Sequence, residues 1–237
     1  MLQQYLIPFS VNTVTMMISV IITGAGTGSR FSTDQNKLFY ELDGHPIIYH
    51  TVLAFASHPA ISRIIITTAD NTRDTFKDSL KDFSDKVIYC LGGKTRRDSV
   101  YNGFQSISEA DYVMIHDGAR PFVSKKLINN VILELDAYQA VFPVIPVVDA
   151  LWKIEHDGLG GFKVLPGPER ENLCRAQTPQ GFCYRNILES HSKNKKTKLD
   201  DIAVAYEHGF KIKTVIGDEK NLKVTSETDL KRFMQEK

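Results

Sequence analysis

A glycine-rich run over residues 24–30, followed by Lys37, is the part of the sequence best suited to chemistry. Glycines let backbone N–H groups approach phosphate oxygens and point at them. Arg30 and Lys37 lie seven positions apart, so both can fold over one triphosphate and neutralise the charge that develops during phosphoryl transfer. The pattern predicts a phosphate-binding loop with two catalytic cations. Its alternative is a structural turn beside a solvated basic pair.

Two better-known phosphate-binding motifs are excluded because this sequence lacks glycines that they require. A dinucleotide fingerprint needs a third glycine where Ser29 stands, and an acidic residue about 20 positions further on. The Walker pattern fails because Ile88 occupies the position of the leading glycine before the run Gly93 to Thr95. The sequence also offers no evident Ser/His/Asp or Cys/His constellation, and its three cysteines lack zinc-ligand spacing. These exclusions favour catalysis by positioning and electrostatics.

The overall charge argues against a nucleic-acid partner. Lys and Arg total 29 and Asp and Glu total 28, so the formal net charge is +1, whereas general nucleic-acid binders usually carry a strongly basic face. No apolar run approaches the length of about 18 residues that a membrane-spanning helix needs. An odd number of cysteines without C-x-x-C spacing predicts reduced thiols and a cytoplasmic location.

Further motifs follow the glycine loop in a fixed order. They are GG at 92–93, RDSV at 97–100, HDGARP at 116–121, QTPQGF at 177–182 and NLKVT at 221–225. Through these motifs the chain, over about residues 18–236, resembles the cytidylyltransferases that activate sugar and polyol phosphates. It is most similar to the 2-C-methyl-D-erythritol 4-phosphate cytidylyltransferase family. The resemblance implies a Rossmann-like α/β fold of the nucleotide-diphosphosugar transferase type.

The resemblance also implies a role for each matching residue. The implied catalytic residues are Arg30, Lys37 and Lys223. The implied nucleotide-binding residues are Gly24, Ala25, Gly26, Thr27, Gly28, Gly93, Arg97 and Ser99. The implied substrate-binding residues are Asp117, Arg120, Arg170 and Thr225. Asp117 would contact substrate hydroxyls or the metal, and Arg120 is either a ligand contact or a structural arginine that pairs with nearby carboxylates.

The implied reaction transfers CMP from CTP to 2-C-methyl-D-erythritol 4-phosphate and releases pyrophosphate, in non-mevalonate isoprenoid precursor synthesis. Mg²⁺ or another divalent cation would be carried mainly by the triphosphate. Ala150 and Leu199 stand where the family often has threonines that would serve the acceptor, so ribitol 5-phosphate or another polyol phosphate is the alternative acceptor. Another alternative is a catalytically silent nucleotide-binding regulatory protein, against which the retained Arg30, Lys37 and Lys223 argue.

Alternating strands and helices must position these motifs. Apolar runs predict strands over residues 18–23, 63–68, 86–91, 112–116, 140–148, 211–216 and 221–225. Caps and apolar spacing predict helices that start at Pro46, at Asn71 or Thr72 (ending near Phe83), before Val100, after Ser124, at Asp200 or Asp201, and at Ser226. Short apolar strands between amphipathic helices predict a mostly parallel sheet covered on both faces, which binds ligands at the carboxyl ends of its strands.

The alternation breaks at about residues 147–177, where two β-like runs flank a glycine-rich turn at 157–161. This pattern predicts a projecting β-hairpin arm, and its exposed edges and apolar groups, such as Leu151 and Trp152, predict a homodimer through the arm. By the resemblance, Arg170 would reach into the partner subunit and bind the substrate phosphate there. We expect residues 1–15 to be an N-terminal extension and residues 16–237 to form a single cytidylyltransferase domain.

Overall fold

The computed structural model describes residues 16–26, 36–158, 160–193, 200–226 and 228–229. The strands in these residues are β1 (Ile18–Thr23), β2 (Glu41–Leu42), β3 (His45–Pro46), β4 (Ile61–Thr68), β5 (Val87–Leu91), β6 (Tyr112–Asp117), β7 (Ala140–Pro146), β8 (Lys153–His156), β9 (Phe162–Leu165), β10 (Cys174–Ala176), β11 (Gln180–Cys183) and β12 (Ile212–Ile216). The helices are α1 (Ile47–Ala56), α2 (Arg73–Ser79), α3 (Arg96–Gln105), α4 (Lys125–Glu134), α5 (Tyr184–Lys193) and α6 (Asp201–Glu207).

The central sheet of the described residues has eight strands and is mostly parallel. Strands β6, β1, β4 and β5 are parallel neighbours, and β12 is parallel to β7. Strands β10 and β11 are antiparallel to β7, and β11 joins β7 to β6. The register pairs Thr23 with both Thr67 and Asp117, so the carboxyl ends of three strands lie side by side. The predicted α/β architecture is confirmed.

Helices cover both faces of the sheet because apolar side chains alternate along its strands. Val20 and Ile22 belong to a core cluster that also includes buried residues of α1, α2 and α4. Ile21 points the other way, into a second cluster with buried residues of α3, α5 and α6. This double covering, which the short apolar strands predict, leaves the strand ends as the place for a ligand.

Most of the predicted elements are present, with local differences. Ser124 caps α4 by accepting from the Leu127 N–H, and Asp200 caps α6 by accepting from the Ala203 N–H. The segment expected to be one helix up to Phe83 consists of α2 with one 3₁₀ turn before it and another after it. Pro46 lies in β3 and immediately precedes α1.

The prediction of a strand over residues 221–225 is wrong, since this segment is a loop. Its polar groups are bonded outside any ladder. The N–H and Oγ1 of Thr225 both donate to the Asp229 carboxylate, at 2.7 and 2.8 Å, and Asn221 donates to the Thr178 carbonyl. Ser226 accepts from the Asp229 N–H, as expected for a cap. The loop is consequently fixed by side chains, which the apolar alternation does not reveal.

The predicted hairpin is present as β8 and β9, which pair antiparallel with each other. Its apolar side chains face solvent in the single chain: Trp152 is 66% exposed and Phe162 is 55% exposed. None of the helices in the described ranges is long and apolar enough to cross a membrane. The expected extension at residues 1–15 and Leu199 lie outside the described residues.

Candidate active site

A cavity of about 450 Å³ opens at the carboxyl ends of β1 and β6, and we call it the glycine-loop cavity. Its lining residues include members of five of the motifs singled out in the sequence. They are Thr23, Ala25, Gly26, Asn36, Lys37, Leu38, Thr67, Gly93, Lys94, Thr95, Arg96, Ser99, Asp117, Gly118, Ala119, Lys223 and Thr225. Segments far apart in the chain therefore meet at the edge where a mostly parallel sheet binds its ligands.

The glycine loop leaves β1 in close contact with β4. The Gly24 N–H donates to the Thr67 carbonyl at 3.0 Å, and a Cβ on Gly24 would lie 2.8 Å from that same oxygen. Only glycine fits this approach. Ala25 and Gly26 line the cavity. The predicted residues Thr27, Gly28 and Arg30 lie outside the described residues.

The segment that joins the GG and RDSV motifs forms the cavity wall at the start of α3. The Thr95 side chain accepts from the Asp98 N–H, and the Asp98 side chain accepts from the Thr95 N–H, so the helix begins with a capping box. The Ser99 hydroxyl donates to the Thr95 carbonyl and accepts from the Gly93 N–H, both at 3.0 Å. These bonds fix the backbone that faces the ligand.

Two adjacent arginines in the first turn of α3 point in different directions. Arg96 lines the cavity. Arg97, which the resemblance implies as a nucleotide contact, is not among the lining residues, and it donates to the His191 carbonyl and pairs with Asp98. Neighbouring side chains on a helix are separated by about 100°, so only one of the pair can face the ligand. This geometry favours Arg96, to which the sequence analysis gave no role.

Asp117 is the electrostatic centre of the cavity. Its Oδ2 lies 3.1 Å from Arg120 Nε and 3.0 Å from Lys223 Nζ, and its Oδ1 lies 4.0 Å from Arg96 Nε. Burial alone would raise the pKa of Asp117, but the three cations outweigh it and hold the pKa well below its usual range. Asp117 is therefore ionised at neutral pH.

His116 stands behind Asp117 and is fully buried. Its Nε2 lies 3.1 Å from the Arg120 carbonyl, which can only accept, so Nε2 carries the proton. Its Nδ1 then accepts from the Thr178 hydroxyl at 3.0 Å, and Thr178 in turn accepts from the Asp117 N–H at 3.2 Å. Burial lowers the pKa of His116 from 6.5 to about 4. The neutral ring thus holds the backbone of Asp117.

Two lysines join the carboxyl-terminal loop to the rest of the cavity. Lys37 Nζ donates to the Val224 carbonyl at 3.0 Å, and Lys223 Nζ reaches Asp117. The Lys223 side chain is 41% exposed, so it can reorient towards a ligand. Both lysines line the cavity and add positive charge to it.

Arg120 has the geometry of a structural arginine that pairs with a nearby carboxylate, which is one of the two roles considered for it. It is not a lining residue, its Nε bonds Asp117, and its Nη1 donates to the Asn221 carbonyl at 2.8 Å. Gln177 binds the same loop, because its Nε2 donates to the Asp218 carbonyl at 2.8 Å. These bonds tie three motifs together behind the cavity. Sequence reasoning found the motifs but not this shared function.

Arg170 lies apart from the glycine-loop cavity, at the base of the hairpin. It donates to the Val148 carbonyl at 3.1 Å and lies 3.6 Å from Glu171. A second concavity of about 410 Å³ surrounds it, lined by Ala150, Leu151, Trp152, Pro166, Gly167, Pro168 and Arg170. The exposed tryptophan and arginine make this surface a candidate for contact with another chain.

The donor set suits a divalent cation that arrives with a ligand. The described residues contain no group of three or more His, Cys, Asp or Glu side chains that could hold a metal ion. Asp117 is the carboxylate among the residues that line the cavity. One carboxylate with a set of cationic neighbours fits an ion held mainly by phosphate oxygens.

The comparisons with known proteins agree on one family. A family model described as IspD, 2-C-methyl-D-erythritol 4-phosphate cytidylyltransferase, matches residues 18–234. The enzyme with that name from Bacillus mycoides (strain KBAB4) is 37% identical over 219 residues, which is 90% of this chain and 95% of that protein. The crystal structure of 4-diphosphocytidyl-2C-methyl-D-erythritol synthase from Anaerococcus prevotii is 26% identical with a TM-score of 0.80, covering 93% of this chain and 97% of that one.

A bifunctional relative contains a similar unit. The structure of the bifunctional IspDF from Campylobacter jejuni is 27% identical to this chain, with a TM-score of 0.76. The match covers 91% of this chain and 54% of that protein. Thus the fold described above also occurs as one part of a longer enzyme.

Proposed function

The chain belongs to the 2-C-methyl-D-erythritol 4-phosphate cytidylyltransferase family, and we propose that its glycine-loop cavity is where CMP is transferred from CTP to the acceptor. The enzyme is a nucleotidyltransferase of isoprenoid precursor synthesis, and its acceptor is 2-C-methyl-D-erythritol 4-phosphate. The products are 4-diphosphocytidyl-2-C-methyl-D-erythritol and pyrophosphate. Ribitol 5-phosphate, the alternative acceptor, is not favoured by the family match.

The reaction needs no protein base. An oxygen of the acceptor phosphate attacks the α-phosphorus of CTP, and the bond from that phosphorus to the pyrophosphate oxygen breaks. The second pKa of a phosphate monoester is about 6, so the nucleophile is already ionised at neutral pH. The task left to the protein is to bring two polyanions together and to neutralise the charge that moves to the leaving group.

The cations of the cavity perform this task in our proposal. Lys37 and Lys223 reach the cavity from opposite ends of the chain, and Lys94 and Arg96 line it as well. Arg30 is proposed as a further catalytic cation on the strength of the family resemblance. The observation that carries the proposal is the convergence of Lys37, Lys223 and Asp117 on one cavity beside the glycine loop, with a 3.0 Å pair between Lys223 and Asp117. That pair keeps Lys223 at the cavity until phosphates compete for it.

The nucleotide half of the cavity is assigned to the glycine loop and the start of α3. In the proposal, backbone N–H groups of residues 24–28 bind the phosphates, and Gly93 and Ser99 lie near cytosine and ribose. Thr225 and Asp117 serve the acceptor. A divalent cation, when bound, shields the triphosphate and stabilises the leaving pyrophosphate.

A homodimer through the hairpin arm is part of the proposal. Within the described residues Arg170 bonds the Val148 carbonyl and lies near Glu171, and it lines an apolar concavity, which supports a position in a partner's acceptor site. The free cysteines Cys90, Cys174 and Cys183 support a reducing, cytoplasmic location.

The acceptor is tested by measuring pyrophosphate release from CTP with each polyol phosphate. We expect 2-C-methyl-D-erythritol 4-phosphate to give a kcat/KM at least about a hundred-fold above that of ribitol 5-phosphate, because sites that bond hydroxyl groups strongly reject analogues. Equal or reversed preference would refute the acceptor. UTP in place of CTP is the control for base selection.

A further inference from the structure

Arg96 and Asp117 both line the glycine-loop cavity, and their closest charged atoms are not within hydrogen-bond distance of each other. Arg96 Nε lies 4.0 Å from Asp117 Oδ1, which is too long for a hydrogen bond. The shorter contacts of Asp117, to Arg120 and Lys223, use the other oxygen, Oδ2. Both Arg96 and Asp117 line the cavity. The facing pair is therefore one N–H donor and one carboxylate acceptor, open to a ligand.

A hydroxyl group is the ligand chemistry that fits this pair. Its oxygen can lie about 2.8 Å from both atoms, accepting from Nε and donating its proton to Oδ1. A phosphate oxygen can only accept, so Oδ1 would repel it. Asp117 already serves the acceptor in the proposed function; we propose that Arg96 joins it in recognising a hydroxyl of the polyol, and that Asp201 is the positioning residue that holds Arg96 for this contact. This inference rests on the proposed function.

Asp201 holds Arg96 from the side away from Asp117. Its Oδ2 accepts from Arg96 Nη1 at 2.7 Å, and its Oδ1 lies 3.2 Å from His191 Nε2. Asp201 is 1% exposed, and a buried carboxylate is costly unless it is paired and hydrogen-bonded. The first residue of α6 thus holds Arg96 with one oxygen and faces His191 with the other. Among the described residues, Arg96 contacts Asp201 through Nη1 and Asp117 through Nε, which leaves Nη2 for a ligand as well.

We assign this hydroxyl to the acceptor, and not to the ribose of CTP, because of the position of Lys223. Lys223 bonds the same carboxylate and is a proposed cation of the reaction, so a hydroxyl between Arg96 and Asp117 lies next to the reacting phosphates. A short polyol phosphate carries hydroxyls close to its phosphate. Recognition of the ribose instead is an outcome that the test below separates.

The first test is the Asp201→Asn variant, which keeps the shape of the side chain and removes its charge. We expect KM for 2-C-methyl-D-erythritol 4-phosphate to rise about ten-fold, as for the loss of a charged hydrogen bond, and KM for CTP to stay within about two-fold. Asp201→Glu should restore part of the acceptor affinity. The control is His58→Gln, since His58 is also buried and bonds Asn129 at 2.8 Å, but precedes β4 at the opposite end of the sheet. It should lower the melting temperature and leave both KM values unchanged.

The second test asks whether Asp201 acts through Arg96. If it does, Arg96→Lys and Asp201→Asn are coupled, and the double variant should have nearly the acceptor KM of Arg96→Lys alone. Additive effects of the two substitutions would overturn the positioning role. A rise in KM for CTP in place of that for the acceptor would overturn the choice of acceptor, and a lower melting temperature with unchanged KM values would make Asp201 merely structural. A wild-type enzyme without activity towards the acceptor would refute the proposed function itself.

Discussion

Among single residues, Asp117 is the point at which the cations of the cavity meet. Three of them surround one buried carboxylate, and the pKa of that carboxyl is held low by them in spite of burial. Lys37 adds a positive charge across the cavity, bonded to the backbone of the carboxyl-terminal loop. The arrangement is preorganised for polyanions, because the protein bears the cost of fixing its charges before the ligand arrives.

Lys37→Ala should lower kcat by about a hundred-fold or more, because one preorganised charge at the transferring phosphate is lost. The cost in unfolding free energy should be only about 1 kcal/mol, as for the loss of a hydrogen bond such as the one to the Val224 carbonyl. Steady-state kinetics and urea unfolding measure the two effects. Lys125→Ala, on the exposed start of α4, is the control, and unchanged turnover of Lys37→Ala would remove this residue from the mechanism.

His116 predicts the pH dependence of stability. Its pKa is about 4 in the folded protein against 6.5 when unfolded, so the unfolded chain binds the proton more tightly. The neutral His116 ring therefore contributes about 3 kcal/mol to the free energy of unfolding. This contribution is fully present above pH 6.5 and is lost as the pH falls to about 4. Unfolding free energies measured at pH 7.5, 6, 5 and 4 should show this loss. The slope should flatten in His116→Gln, and an equal slope in that variant would show that other groups cause it.

At the scale of elements, two N-caps of the same kind have different surroundings. Thr95 caps α3 and lines the cavity, whereas Ser124 caps α4 and is not among the lining residues. The helices thus differ in whether their first turn can affect a ligand.

Thr95→Ala and Ser124→Ala should each cost about 1 kcal/mol of stability. Only Thr95→Ala should also raise KM for CTP, because it removes the bond from the Asp98 N–H and loosens the first turn of α3, which carries Ser99. Chemical unfolding and kinetics on the matched pair test this difference. A raised KM in Ser124→Ala would contradict the assignment of the nucleotide half to α3.

The elements also show how far the sequence could predict this structure. Strands β1, β4, β5 and β6 are confirmed because each is a short, continuous apolar run between turn signals. Strands β10 and β11 and helix α5 were not predicted. The two strands flank the polar run at 177–179 and pair with β7, which lies 28 to 42 residues earlier in the chain. Long-range pairing leaves little local signal.

The site was predictable as a set of motifs but not as a set of contacts. The pattern cannot tell which of Arg96 and Arg97 faces the cavity, since this depends on the rotation of α3. It cannot tell that Asp201 lies behind Arg96, because the two are brought together only by the packing of α3 against α5 and α6. The loop at 221–225 was mistaken for a strand because its apolar residues alternate while its polar groups bond Thr178 and Asp229.

At the scale of the whole molecule, the net charge of +1 conceals a local positive cavity. Lys37, Lys94, Arg96 and Lys223 line it beside a single carboxylate. The hairpin does not line this cavity, and it exposes Trp152 and Phe162. The cationic cavity and the exposed apolar side chains of the hairpin thus involve different residues of the chain.

Mixed dimers should show whether the arm completes the site. Arg170→Ala and Lys37→Ala chains, each nearly inactive alone, should regain up to about a quarter of wild-type activity when refolded together, since random pairing gives one intact site in half of the dimers. Activity of the mixture against each parent is the measurement. A mixture no more active than its parents would contradict a shared site.

The most direct test of the central claim is the identity of the product formed from CTP and 2-C-methyl-D-erythritol 4-phosphate. Phosphorus NMR of the reaction should show a new diphosphate that contains the α-phosphorus of CTP, together with an equal amount of pyrophosphate. The signals should require the acceptor and should fall sharply with Lys37→Ala or Lys223→Ala. Hydrolysis of CTP without a new diphosphate, or full product formation by the two variants, would contradict CMP transfer by the cations of the glycine-loop cavity.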